Sequence, residues 1–269
     1  MVSFDVSADK LPLFFLLDRG MKVTTLPTYN APMAKHIGII ACSAEGAALC
    51  YRTIAQAAEE YMGTHNHPTV TMHSIPLADW VPAFDNKDYK AVGRLMLESA
   101  RVVANAGADF AICPDNSCHL SWEHFINESP IPWLHIAEVV AQEARRREYK
   151  KAGLLGTRFT MRGPVYPEVF LRHHIGVLPP PPEHQKLVDD VIFKELVHGV
   201  FSESSRLGYN YVIEMLKREG CDCVILGCTE IPLLVREDDC PLPLLDSTRL
   251  LARAAVQHAL ALVSTAPAV

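Results

Sequence analysis

Two short segments of the 269-residue sequence carry several reactive side chains next to one another. The first is "PDNS" at residues 114–117, where a carboxylate, a carboxamide and a hydroxyl follow an apolar run. The second is "GCTE" at residues 227–230, where a thiol, a hydroxyl and a carboxylate follow another apolar run. Thiols and carboxylates are groups that exchange protons with substrates or attack them in enzymes. The two segments are therefore the first candidates for an active site.

Cys228 is the strongest single candidate. A cysteine between a strand and a helix can have its thiolate stabilised by the N–H groups of the helix N-terminus, which lowers its pKa from about 8.5 towards neutrality. Thr229 is expected to start that helix, and Glu230 follows it. The alternative is a buried structural cysteine beside an ordinary threonine cap.

The segment around Asp115 offers a cradle for an anion. Asp115, Asn116 and Ser117 can each cap a helix, and three such residues are more than one helix needs. The Asn116 amide, the Ser117 hydroxyl and free backbone N–H groups could together hold a carboxylate. Cys113 and Cys118 flank the segment, and we interpret them as the end of a buried strand and a first-turn helix residue, so neither is expected to react.

Two further apolar runs also end in polar side chains. Ser43 follows the run at residues 36–42, and "TRFTM" at residues 157–161 supplies the hydroxyls of Thr157 and Thr160. Arg158 could neutralise an acidic substrate through a bidentate contact. A surface arginine without a role in binding is an equally good interpretation of Arg158.

Short apolar runs alternate along the chain with segments whose apolar residues follow the spacing of a helix. The predicted strands are residues 36–42, 69–75, 110–113, 132–136, 152–156 and 223–227. Val92, Met96 and Val103 follow the spacing of a helix that buries one face. This alternation predicts parallel sheets with helices on both faces, and ligands in such folds bind beyond the carboxyl ends of the strands.

The two candidate segments occupy equivalent places in an internal repeat. "GADFAICPDNS" from Gly107 matches "GCDCVILGCTE" from Gly220, and "GIIACS" from Gly38 matches "GLLGTR" from Gly153. In this register Asp115 falls opposite Cys228. The repeat predicts two similar three-layer α/β domains with parallel sheets related by a pseudo-twofold axis and an active site in the cleft between them. A proton donor and an acceptor would then face one carbon from opposite sides.

Composition excludes several other classes of protein. The net charge of −6, without a basic stripe, disfavours nucleic-acid binding, and no apolar run approaches the ~20 residues of a membrane span. None of the eight cysteines forms a Cys-x-x-Cys pair, so zinc spacing is absent, and "HNH" at residues 65–67 is interpreted as a polar loop rather than a metal site. Several cysteines lie inside apolar runs such as "CDCVILGC" at residues 221–228, where cysteine behaves as a small core residue, and this favours a reducing, cytoplasmic setting over a disulfide framework.

The sequence from about residue 36 to residue 262 resembles the aspartate/glutamate racemase family. The motifs are "GCTEIPLL" from Gly227, "PLLDST" from Pro243 and "GLLGTRFTM" from Gly153, which are similar to the aspartate-racemase branch. The resemblance implies two α/β domains of like topology, a homodimer, and no pyridoxal phosphate or other cofactor. It also implies a cleft in which two thiols serve as acid and base on opposite faces of Cα.

The carried-over residues match the family motifs except for a conservative replacement at Ser117 and a departure at Asp115. Cys228, Thr229 and Glu230 match the second motif, as Asn116 does in the first, where Ser117 replaces a threonine; Asp115 stands where the first cysteine is expected. A carboxylate with a pKa of about 3.9 is a weaker base than a thiolate, so Asp115 could serve only if burial raised its pKa.

Three functions remain open from the sequence. The first is a cofactor-independent racemase of aspartate or glutamate, with Asp115 and Cys228 as the catalytic pair. The substrate would be held by Ser43, Asn116, Ser117, Thr157, Arg158, Thr160, Thr229 and Glu230. The second is a decarboxylase or cis–trans isomerase of a dicarboxylic acid that uses Cys228 alone. The third is a carboxylate-binding protein without turnover.

The predicted organisation is an N-terminal arm followed by two domains. The arm covers residues 1–36, the first domain residues 37–135 plus 247–269, and the second residues 136–246. A small amino acid or dicarboxylate is the expected ligand, and neither nucleic acid nor a membrane is expected as a partner.

Overall fold

The computed structural model describes residues 34–261, so the predicted arm lies outside the described residues up to residue 33. The first half of the described chain contains a three-stranded parallel sheet in the order β2-β1-β3. Its strands are β1 (Ile37–Ala41), β2 (Val70–Ser74) and β3 (Phe110–Ile112). Its helices are α1 (Ala44–Met62), α2 (Leu77–Asp85), α3 (Tyr89–Asn105) and α4 (Ile136–Arg146), with 3-10 helices at Asn116–His124 and Ile126–Glu128.

The second half contains a four-stranded parallel sheet in the order β5-β4-β6-β7. Its strands are β4 (Lys151–Gly156), β5 (Gly176–Leu178), β6 (Cys223–Gly227) and β7 (Leu244–Asp246). Its helices are α5 (Arg158–Arg162), α6 (Val165–Arg172), α7 (Pro182–Lys194), α8 (Glu203–Arg218), α9 (Ile231–Leu234) and α10 (Ser247–Ala259), with a 3-10 helix at Leu196–His198.

Strand pairing reproduces the register of the sequence repeat. Gly38 pairs with Ala111 in the first sheet, and Gly153 pairs with Val224 at the equivalent place in the second. The glycines permit close packing, because a Cβ on Gly38 or on Gly153 would lie within 3 Å of the helix side chain that covers the sheet. The predicted α/β class with two parallel sheets is confirmed.

The same turn precedes the inner strand of each sheet. The Asp109 carboxylate accepts the backbone N–H of His36 at 2.6 Å, and the Asp222 carboxylate accepts the backbone N–H of Lys150 at 2.6 Å. These carboxylates therefore tie the start of one strand to its neighbour in both halves.

The predicted strand at residues 132–136 is replaced by a single parallel bridge between Trp133 and Ala111. The backbone there makes two hydrogen bonds to Ala111 before α4 begins at Ile136, so the segment is too short to extend the sheet. It lies where β7 lies in the second half, since β7 pairs with Val224. Both sheets thus follow one plan.

Helix α10 returns the chain to the first sheet. Leu251, Ala255 and Val256 are buried with Ile37 of β1 and Phe110 of β3 in one apolar cluster. Asp246 caps α10 by accepting the backbone N–H of Arg249 at 2.9 Å. This packing is the arrangement expected if residues after 246 belong with the first half.

Three further features concern the described residues alone. All eight cysteines lie within residues 34–261 and none is paired in a disulfide. No helix in that range is long and apolar enough to cross a membrane. The same residues contain no cluster of three or more His, Cys, Asp or Glu side chains arranged to hold a metal ion.

Candidate active site

A cavity of about 270 Å³ lies at the carboxyl ends of the inner strands of both sheets. This volume is at the small end of ligand pockets, which suits a molecule of amino-acid size. Nine of the ten predicted site residues line it: Ser43, Asp115, Asn116, Ser117, Thr157, Arg158, Cys228, Thr229 and Glu230. Thr160 lies behind the wall, where its hydroxyl contacts Ser117 and Thr157.

Asp115 is a partly buried carboxylate aimed at the start of α1. Its Oδ2 accepts the backbone N–H groups of Cys42 and Ser43 at 3.1 and 3.4 Å. Burial raises the pKa of Asp115 to about 7, and the negative charge of Glu230 adds to the shift, although the two N–H contacts oppose it. A raised pKa is the condition under which Asp115 could serve as a base, and that role stays a prediction.

Cys228 is a buried thiol whose proton is held by a neighbouring carboxylate. Its S–H donates to Glu230 Oε2 at 3.0 Å. Burial raises the pKa of Cys228 well above its usual value, and the Glu230 charge and this hydrogen bond raise it further. The expectation of a lowered thiol pKa was therefore wrong. Helix α9 begins only at Ile231, after Glu230, and is too short to offset the burial and the adjacent carboxylate.

Ser43 and Thr229 join the two halves of the site. Their hydroxyl oxygens lie 3.1 Å apart, and the Thr229 hydroxyl donates to Glu230 Oε2 at 2.7 Å. Thr229 packs directly against Gly46 of α1, where an added Cβ would overlap the threonine side chain. A continuous set of contacts thus leads from Asp115, through Ser43 and Thr229, to Glu230 and the thiol of Cys228.

The second carboxylate oxygen of Glu230 differs from the first in its contacts. Its Oε1 is buried and has no hydrogen-bond partner among the residues that the structure describes. A buried carboxylate oxygen without a donor costs free energy, so this atom is a natural acceptor for a ligand N–H group.

Three hydroxyl groups form a second polar cluster in and behind the cavity wall. The Ser117 hydroxyl lies 2.8 Å from that of Thr157 and 3.1 Å from that of Thr160, and the two threonine hydroxyls lie 3.3 Å apart. Thr157 also caps α5 by accepting the backbone N–H of Thr160. Rotation of these hydroxyls could present two donors to a carboxylate.

Asn116 lines the cavity, but its amide already has partners in the protein. Its Nδ2 donates to Ser247 Oγ at 3.0 Å, and its Oδ1 accepts the Tyr166 hydroxyl at 2.5 Å. Ser247 in turn donates to the Leu226 carbonyl at 2.7 Å. This network fixes the loop that carries Asp115 against the end of β6, and substrate binding by Asn116 stays a prediction.

Arg158 also has partners on both sides. Its Nη1 lies 3.0 Å from Asp189 Oδ2, and its Nη2 lies 2.6 Å from Asp85 Oδ1. The guanidinium carbon sits 4.3 Å from the ring centre of Phe159 and 5.3 Å from that of Phe193. The charge predicted to neutralise an acidic substrate is therefore shared between two carboxylates of the protein.

Several lining residues had no signal in the sequence. Seven of them are apolar, namely Leu77, Val81, Phe84, Phe159, Ile192, Phe193 and Val197, and we call them the apolar wall. They come from α2, α5, α7 and the 3-10 helix after α7. In the sequence their spacing is that of ordinary core residues on a helix. Gly46 could have been noticed, because it stands three residues after Ser43 in "SAEG".

The chain is similar in sequence and in fold to several known proteins. A family model described as Asp/Glu/Hydantoin racemase matches residues 37–255. The "Broad specificity amino-acid racemase RacX" of Bacillus subtilis is 22% identical over 198 residues, which are 73% of this chain and 84% of that protein. A crystal structure of an Asp/Glu racemase candidate from Yersinia pestis is 31% identical, with a TM-score of 0.76 over 84% of this chain and 99% of that chain. An aspartate racemase homologue from Pyrococcus horikoshii is 25% identical, with a TM-score of 0.72 over the same shares.

Proposed function

The chain belongs to the Asp/Glu/Hydantoin racemase family, and from this premise we propose that it catalyses cofactor-independent racemisation of an α-amino acid by proton transfer at Cα. Asp115 and Cys228 are the proposed pair of acid and base. The observation that carries the proposal is their equivalent position in the two repeats, at the ends of β3 and β6, with both side chains lining one cavity.

The protonation states of the pair define how the reaction starts. A pKa near 7 leaves a large fraction of Asp115 ionised at neutral pH, whereas the raised pKa of Cys228 keeps its thiol protonated. Asp115 therefore takes the α-proton from one face, and Cys228 delivers its proton to the opposite face. The reverse direction starts from protonated Asp115 and the Cys228 thiolate.

The polar groups suggest how the substrate is held. The α-amino group would donate to the free Oε1 of Glu230, and the α-carboxylate would accept from the hydroxyls of Ser117 and Thr157. These contacts would place Cα between Asp115 and Cys228. Hydrogen bonds to the carboxylate also stabilise the negative charge that develops on it when the α-proton leaves.

Isotope exchange tests this proposal. Single enantiomers of aspartate, glutamate, alanine and leucine would be incubated with the protein in deuterated water, and α-proton loss would be followed by NMR together with chiral chromatography. We expect solvent deuterium at Cα and formation of the opposite enantiomer for at least one of them. Absence of both with every amino acid in the panel contradicts the proposal.

The single-cysteine alternative differs in its dependence on Asp115. A decarboxylase or isomerase that uses Cys228 alone would keep much of its activity in Asp115→Asn, whereas a two-base racemase would lose racemisation in Asp115→Asn and in Cys228→Ser alike. Burial raises the pKa of Asp115 to about 7, which suits proton transfer at neutral pH and favours the two-base reaction.

The same proposal extends to the organisation of the protein. We take residues 37–135 plus 247–269 and residues 136–246 as the two domains that form the site, which the packing of α10 on the first sheet supports. A homodimer and a cytoplasmic location are predictions from the sequence, and light scattering of the purified protein tests the first of them.

A further inference from the structure

We infer that the substrate carries an uncharged, apolar side chain of about the size of leucine or phenylalanine, rather than the carboxylate of aspartate or glutamate. This inference rests on the proposed function and names its substrate class. It follows from the charge and the lining of the cavity beyond the acid–base pair.

The cavity does not offer a free cation to a second carboxylate. Its described lining contains five acidic residues and one basic residue, Arg158, the acids being Asp85, Asp115, Asp189, Asp190 and Glu230. Arg158 is already bound to Asp85 and Asp189 at 2.6 and 3.0 Å. A substrate carboxylate would have to displace one of these partners or lie unpaired beside like charges, and both cost free energy.

The adjoining space does not change this balance. A second cavity of about 290 Å³ shares Ser43 and Glu230 with the first one. Its described lining adds Glu45 and contributes no basic residue. An acidic side chain directed there would again meet carboxylates.

A cationic side chain is also poorly served. Asp85 and Asp189 are both bound to Arg158, and Asp190 is bound to Lys186 and Lys194 at 2.5 and 3.0 Å. Each carboxylate near the apolar wall is thus already paired with a cation of the protein. A lysine or arginine side chain would gain its own contact only by breaking one of these ion pairs.

The apolar wall supplies the favourable contact. Phe84 and Phe159 stack with their ring centres 5.4 Å apart, and Phe84 and Ile192 are almost fully buried. The flanking Phe193 and Val197 are partly buried, so a ligand side chain could still remove apolar surface from water. One methylene group in such a pocket changes kcat/KM by about 10- to 200-fold.

Two assays test the inference. The first measures kcat/KM for α-deuterium exchange with leucine, phenylalanine, alanine, aspartate, glutamate and lysine. We expect leucine or phenylalanine to exceed aspartate, glutamate and lysine by at least about 10-fold. The second measures the melting temperature of Cys228→Ser, which cannot complete racemisation, with D- and L-leucine and D- and L-aspartate. We expect a larger rise with leucine.

The outcomes separate the two proposals. If aspartate, glutamate or lysine is the best substrate, the inference on the side chain is overturned and the racemase proposal stands. If no amino acid exchanges but leucine alone raises the melting temperature, the racemase proposal fails and the side-chain class stands. If neither exchange nor stabilisation occurs, both are overturned.

Two variants test which residues determine the preference for the substrate side chain. Phe193→Ala removes a partly exposed ring of the apolar wall, and we expect kcat/KM to fall about 10-fold for leucine and by clearly less for alanine. Asp85→Asn releases one partner of Arg158, and we expect kcat/KM for aspartate to rise by up to about fivefold while that for leucine stays constant. Equal changes for all substrates in both variants overturn the inference.

Discussion

The Cys228 thiol lies 3.0 Å from Glu230 Oε2 and donates a hydrogen bond to that carboxylate. The same oxygen accepts the Thr229 hydroxyl at 2.7 Å. Burial raises the pKa of Cys228 and of Asp115, and the negative charge of Glu230 raises both further, so one residue influences the protonation of both proposed catalytic groups.

The pH dependence of kcat/KM should show a lower limb near pH 7 and an upper limb above pH 9. The active enzyme carries one proton on the pair, so activity rises as Asp115 ionises at a pKa of about 7 and falls only when Cys228, with its raised pKa, ionises. Because enantiomers have equal free energy, kcat/KM and its pH profile must be the same from either enantiomer. Glu230→Gln removes a negative charge that raises both pKa values, so both limbs should move to lower pH. Unmoved limbs would show that Glu230 does not control the pair.

Removal of the Cys228 thiol should abolish racemisation without unfolding the protein. We expect Cys228→Ser to lower kcat by at least about 1,000-fold, because a serine hydroxyl is a far weaker acid than a thiol at this position. Cys240→Ala is the matched control, since Cys240 is partly exposed and lies outside both cavities. Circular dichroism and a melting curve check the fold, and comparable losses of activity in both variants would contradict the special role of Cys228.

Gly46 should be intolerant of a methyl group. In Gly46→Ala the new Cβ would overlap the Thr229 side chain, which must then move away from Ser43 and Glu230. We expect kcat/KM to fall at least about 10-fold and stability to fall by about 1 to 3 kcal/mol.

Gly208→Ala provides the control for that substitution. Gly208 lies inside α8, and an added Cβ would meet only ordinary contact with Leu187 at 3.7 Å. Because alanine favours a helix interior over glycine, we expect a gain in stability of about 0.5 to 1 kcal/mol with activity unchanged. Denaturant unfolding and initial rates measure both variants, and wild-type activity in Gly46→Ala would refute the proposed contact.

The buried His119 should make the protein sensitive to acid. Burial lowers the pKa of His119 to about 4, against about 6.5 in the unfolded chain, so the unfolded state takes up a proton that the folded state does not between these pH values. The stability from His119 is complete above pH 6.5 and is lost as the pH falls towards 4, a loss on the order of 3 kcal/mol.

A substitution isolates this effect. In His119→Phe the dependence of unfolding free energy on pH between 4.5 and 6.5 should flatten by about 1.4 kcal/mol per pH unit, which corresponds to one proton. His65→Gln is the control, because the His65 side chain is 93% exposed. Denaturant unfolding at several pH values measures the slopes, and equal slopes for His119→Phe and the wild type would contradict the assignment.

The sequence predicted the relative position of Asp115 and Cys228, because each lies in a short segment that the internal repeat matches to the other. Matching glycines and aspartates put Asp115 opposite Cys228, and the strands pair in that register. The pKa of Cys228 could not be predicted, because it depends on the burial of the thiol and on where the Glu230 side chain points. That direction is set by Thr229, which packs on the distant Gly46.

The ion pairs of Arg158 could not be predicted from local sequence patterns either. Its partners Asp85 and Asp189 are 73 and 31 residues away in the chain. A single arginine after a strand looks like a free anion-binding group until the folded chain brings two carboxylates to it. The apolar wall is hidden for the same reason, since its residues come from separate helices.

The position of deuterium at early times tests the central claim most directly. The wild-type protein would be incubated with one enantiomer of its substrate in deuterated water, stopped below about 10% conversion, and the two enantiomers separated for mass spectrometry. In the proposed two-base reaction Asp115 and Cys228 act on opposite faces of Cα, and each can hold one proton at most, so the group that removes the α-proton is not the group that protonates the product. The account therefore predicts deuterium in the newly formed enantiomer and none in the recovered substrate. Product that retains the substrate α-proton, or recovered substrate that gains deuterium as fast as the product forms, would contradict the two-base account.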